Sequence, residues 1–128
     1  MNLSSKIRRV GDAQGTASIV WWCPGCLDFH QVPVERLTPG LQWEYNMNAE
    51  QPTLYPSVAV TWTRMLGTPQ EQNDLRNLVM SGKLPAMPSE EVFCHCFVTC
   101  GSIHYLPDST HHLSGKVVDM PDLPTAGD

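Results

Sequence analysis

The residues of this 128-residue chain best equipped for chemistry are five cysteines and five histidines, and most of them fall in two stretches. The first is Cys23-Pro24-Gly25-Cys26, with His30 just beyond it; the second is Cys94-His95-Cys96, trailed by Cys100, His104, His111 and His112. A Cys-x-x-Cys turn brings two thiolates together while its backbone amides can hydrogen-bond the sulfurs, which makes half of a tetrahedral zinc site. In an extended strand Cys94 and Cys96 share one face and His95 takes the other, so Cys94 is a candidate third ligand. His30, His111 and His112 are imidazoles able to supply the fourth, and Cys96 is a further thiolate. Taken singly, Cys96 and Cys100 read as small buried side chains.

Two other chemistries compete for these residues. Trp22-Cys23-Pro24-Gly25-Cys26 looks like the redox element of thioredoxin-type proteins, but that chemistry needs the first cysteine at a helix N-terminus, and residues 27–34 carry Pro33 and extended propensity instead. A metal-dependent hydrolase would use His30, His95, Asp108 or His111 around an open coordination position. Asp108 and His111, three apart in a polar loop, have the spacing of a carboxylate that orients an imidazole. Three thiolates suit a closed structural site better than a hydrolytic one. There is no Ser-centred elbow and no phosphate-cradling glycine loop, so the residues favour binding over catalysis.

The elements that must position these clusters are mostly extended. Residues 1–16 show no sustained apolar period and are expected to form a flexible arm or one weak edge strand. Residues 17–22 are β-branched and aromatic and run into the cysteine turn; residues 29–34 make the returning strand. Residues 41–46 alternate with period two, and 52–62 are extended, with Pro56 confining the first half to an edge or bulge. Thr68, Pro69 and Glu71 supply an N-cap, a first-turn proline and a capping box, predicting a short helix over 69–81 that ends at Gly82, within an insertion spanning 67–89. Residues 91–98 and 103–106 read as a hairpin around Gly101, and 116–120 as a last short strand. The tail, 121–128, has little to bury and is expected to be disordered. The fold class is thus mainly β (α+β): one small zinc-stapled antiparallel β domain over 17–120, with a zinc-ribbon-like knuckle.

Totals narrow the partners. Eight basic against 13 acidic residues give a formal charge of −5, which disfavours nucleic acid. No apolar run reaches the roughly 18 to 20 residues of a bilayer span, and the first residues are polar, so no membrane is expected and the location is cytoplasmic. In that reducing compartment an odd number of cysteines argues for metal ligation over disulfides.

Three linked motifs also carry a family resemblance. Trp-x-Cys-Pro-Gly-Cys-x-x-x-His (21–30), Pro-Thr-Leu-x-Pro-Ser (52–57) and Cys-His-x-Phe-Val-x-x-Gly-x-Ile-x-x-Leu-x-Asp-Ser-Thr-His-x-Leu-x-Gly (94–115) resemble the domain-of-unknown-function family 6527, small proteins of tailed phages and prophages. The resemblance emphasises Cys23, Cys26, His30, Cys94, His95, Asp108, His111 and Gly115, and moves the fourth ligand from Cys96 to His111, giving Cys23, Cys26, Cys94 and His111 around Zn2+. It implies a phage-encoded structural-zinc module in the host cytoplasm, with a virion-associated or host-interaction role, whose partner is another protein. A metal-dependent hydrolase and an adaptor in ubiquitin-like conjugation are the alternatives.

Overall fold

The computed structural model describes residues 1–124. Strands β1 (Ile7–Gly11), β2 (Ala17–Cys23) and β3 (Asp28–Glu35) form an antiparallel sheet in the order β1-β2-β3. Strands β4 (Glu44–Tyr45), β5 (Leu54–Met65), β6 (Ser89–Thr99), β7 (Ser102–Tyr105) and β8 (Val117–Asp119) form a second, in that order, with every pairing antiparallel. The expected fold class holds: two antiparallel sheets with one short helix, α1 (Pro69–Met80).

One core joins the sheets. Ile7, Ile19, Trp21, Val32 and Val34 from the first pack in a single cluster with Leu54, Val58, Val92, Cys94, Val98 and Ile103 from the second. Burying each Ile or Leu removes it from water at roughly 1.5–3 kcal/mol, so the shared core holds the sheets in register. On β6 the alternation is strict: Val92, Cys94, Cys96 and Val98 are buried, while Phe93, His95 and Phe97 face outward. That single strand therefore offers sulfur to the interior and an imidazole to the surface.

Of the two expectations for residues 1–16 the structure shows the edge strand, and at the other end order reaches further than composition suggests. Residues 7–11 pair along β2 with Ile7 fully buried, because one well-placed apolar residue and a ready sheet edge suffice where apolar periodicity is missing. In the segment expected to be disordered, the Leu123 amide donates to the Ser5 carbonyl at 2.7 Å and the Ser5 hydroxyl donates to Asp122 at 2.7 Å; residues 125–128 lie outside the described residues. The strand expected over 41–46 pairs only at Glu44–Tyr45. Strand β5 is longer than sequence implies and changes register between Leu54 and Val58, at the bulge that Pro56 foreshadows.

The helix follows its capping chemistry. Thr68 Oγ1 accepts from the Glu71 amide at 3.2 Å, and the Glu71 carboxylate accepts from the Thr68 amide at 3.2 Å. None of its residues is buried, so α1 is an excursion between β5 and β6 rather than part of the core. Among the described residues no helix is long and apolar enough to cross a membrane.

Candidate functional site

At the inward face of β6, the two sheets meet at a cluster of sulfur and nitrogen. Cys23 closes β2, Cys26 sits in the turn, His30 lies on β3 paired with Trp21, and Cys94 comes from β6. Their ligand atoms all lie within 4.8 Å of one another, and all four residues are buried. The turn forms because Leu27 adopts a left-handed conformation, φ 55°, and its amide donates to the Cys23 carbonyl at 2.8 Å. The Cys26 amide then donates to Cys23 Sγ at 3.3 Å.

The donor set suits a metal ion. Cys23 and Cys94 sulfurs are 4.0 Å apart, close to the roughly 3.8 Å that zinc–sulfur bonds of about 2.3 Å impose in a tetrahedron. His30 Nε2 is buried without a hydrogen-bond partner, an orphaned ring nitrogen amid three sulfurs. Hydrogen bonds from Cys26 and then Cys94 hold the Cys23 thiol far below its usual range, and the same link to Cys23 pushes Cys26 and Cys94 up. Burial pushes the His30 imidazole down, but contact with Cys23 and Cys26 outweighs it and raises the pKa to about 9. This Cys3His group could therefore hold a metal ion.

His111, expected as a ligand, is placed against the group rather than within it. Its Nε2 lies 3.4 Å from Cys94 Sγ, its ring packs edge-on to Tyr105 at 4.6 Å, and burial lowers its pKa. The Tyr105 hydroxyl lies 3.0 Å from Cys23 Sγ. Gly25 leaves room here for the His111 imidazole, which a Cβ at that position would displace. Cys96 is buried on the same face but outside the group; Cys100 and His112 are exposed.

The outward face of β6 carries a different assembly. His95 Nε2 lies 3.1 Å from Ser57 Oγ, and His95 Nδ1 lies 3.0 Å from Asp108 Oδ2 and 3.2 Å from Oδ1. Ser57 stands on the bulge of β5, and β6 runs beside it. The loop that brings Asp108 is fastened along β6. The Leu106 amide donates to the His95 carbonyl at 2.8 Å, Ser109 Oγ bridges the His95 amide and carbonyl at 3.0 Å each, and the Thr110 amide donates to the Phe93 carbonyl at 2.8 Å. One loop thus delivers Asp108 to His95 on one face and, three residues on, His111 to Cys94 on the other.

Hydroxyl, imidazole and carboxylate in series can transfer a proton from oxygen to nitrogen while the carboxylate fixes the tautomer. Asp108 therefore orients His95, not His111 as the loop spacing suggested. Sequence reading singled out His95 and Asp108 but passed over Ser57, which carries no elbow signature. Its one signal was its place at the end of the Pro-Thr-Leu-x-Pro-Ser motif, next to a proline expected to bulge the strand.

Comparison with known proteins gives one family. Residues 2–106 match the model described as BubE, bacterial ubiquitination-like system serine protease. This corrects the assignment to the domain-of-unknown-function family 6527, and the phage role implied by that resemblance finds no support in the match. No curated protein and no solved structure matches the chain.

Proposed function

The chain belongs to the BubE family, and from that premise we propose that it is a serine peptidase of a bacterial ubiquitination-like system, stapled by a structural zinc ion. The observation that carries this reading is the continuous series Ser57 Oγ, His95, Asp108, with separations of 3.1 and 3.0 Å. Ser57 is the nucleophile: as its oxygen attacks the scissile carbonyl, His95 Nε2 takes the hydroxyl proton. His95 then gives that proton to the leaving amine, and a water molecule, activated in the same way, releases the acyl group from Ser57. Asp108 holds the Nδ1 proton and stabilises the imidazolium. The chain order Ser, His, Asp is no obstacle, because such constellations are defined by geometry and not by sequence order.

Zinc is the metal that three thiolates and one imidazole fit best, and four protein ligands leave no open position for a reacting water. Bound there, zinc would supply cohesion, tying β2 and β3 to β6. His95 is engaged on one side by Ser57 and on the other by Asp108, which favours the seryl mechanism over a metal-dependent hydrolase. The expected protein partner then becomes a protein substrate, and a cytoplasmic location agrees with five free cysteines.

Labelling with a fluorophosphonate tests the assignment. A stoichiometric adduct on the Ser57 peptide, absent in Ser57→Ala and strongly slowed in His95→Ala, is expected. An unlabelled protein of full zinc content would overturn it.

A further inference from the structure

Beside Ser57 the surface opens into a groove of about 780 Å³ between the end of β3 and the β4–β5 edge, with Glu35, Trp43, Glu44, Tyr45, Met47 and Tyr55 in its wall. Ser57, His95 and Asp108 are not among its lining residues, but two residues that are adjoin Ser57. Tyr55 is two residues before Ser57 and is 62% exposed, and Trp43 Nε1 donates to the Ser57 carbonyl at 3.3 Å. Its chemistry has one sign. Two carboxylates and three aromatic rings line it, with no lysine or arginine among the lining residues. Arg9 donates to the Glu35 carboxylate from both terminal guanidinium nitrogens, at 3.1 and 2.8 Å. Glu44 has no ion-pair partner among the described residues, which leaves its carboxylate available to a ligand.

Aromatic faces next to an uncompensated carboxylate recognise a cation on an aliphatic stem: the rings bind the methylene chain and the charge, and the carboxylate fixes the end. We propose that this groove is the specificity site of the peptidase and receives a lysine or arginine side chain of the substrate next to the scissile bond. The proposal rests on the serine peptidase reading of Ser57, His95 and Asp108. It assigns Glu44 as the determinant of charge preference, with Trp43 and Tyr55 as the stacking walls.

Internally quenched peptide pools on an alanine-rich background, with lysine, arginine, leucine or glutamate varied around the cleavage point, test it on the whole protein. The lysine and arginine pools are expected to be cleaved with kcat/KM about five- to tenfold above the leucine pool, the gain of one exposed cation–π contact plus one ion pair. Glu44→Lys should abolish that preference and favour the glutamate pool, with Ser57 still taking one equivalent of fluorophosphonate. Normal labelling with equal cleavage of all pools, or a preference that survives Glu44→Lys, overturns the groove assignment and leaves the peptidase reading standing. A wild-type protein that takes no label overturns both.

Discussion

Two histidines on strands of different sheets show how surroundings assign chemistry to one residue type. His30 faces inward, is 5% exposed, and has a ring nitrogen orphaned among three sulfurs. His95 faces outward with both ring nitrogens engaged, one by a hydroxyl and the other by a carboxylate. The first environment suits a cation shared between soft ligands; the second sets a hydroxyl, an imidazole and a carboxylate in line, along which a proton could pass. Because Cys94 and His95 are adjacent on β6, the pleat alone separates the Cys3His group from the hydroxyl–imidazole–carboxylate series. The two chemistries are distinct but share a scaffold, through β6 and the loop from Leu106 to His111.

The strongest break of this pairing comes from the metal side. Cys94→Ser should release zinc, lower folding stability by about 4 kcal/mol or more and abolish peptidase activity, because His95 loses its support. Denaturant melts, metal analysis and peptide cleavage on one preparation measure all three. Next, Asp108→Asn should lower kcat by about 10^4-fold through the wrong imidazole tautomer while zinc content stays at one equivalent. A smaller, one-sided effect belongs to Tyr105→Phe: without the hydroxyl 3.0 Å from Cys23 Sγ, chelator competition should show zinc affinity falling by about 10- to 100-fold. Gly25→Ala should cost about 1–3 kcal/mol as the His111 ring is displaced, with the seryl site intact. Thr68→Ala should matter least: it removes the N-cap of an exposed helix, about 1 kcal/mol, and alters neither zinc content nor cleavage.

What sequence reveals follows from how local each signal is. The Cys-Pro-Gly-Cys turn and the α1 capping box are encoded within four residues each, and both form where they were expected. Cys94 was legible because strand alternation is itself a local rule. The fourth member of the group is harder to read, since His30 and His111 both reach the cysteine cluster and only the pairing of β2 with β3 puts His30 among the sulfurs. Ser57 was hardest of all. It lies 38 residues from His95, and their contact depends on a bulge and a β5–β6 register that no short motif specifies. Asp108 stands three residues from His111 in the chain, and that proximity hides its partner across the strand, His95.

The separation of the two faces is tested most directly by zinc content and peptide cleavage measured together on His95→Ala. The structure predicts one equivalent of zinc, an unchanged melting curve and no turnover above background. Loss of zinc together with activity, or cleavage that persists with zinc in place, would contradict it.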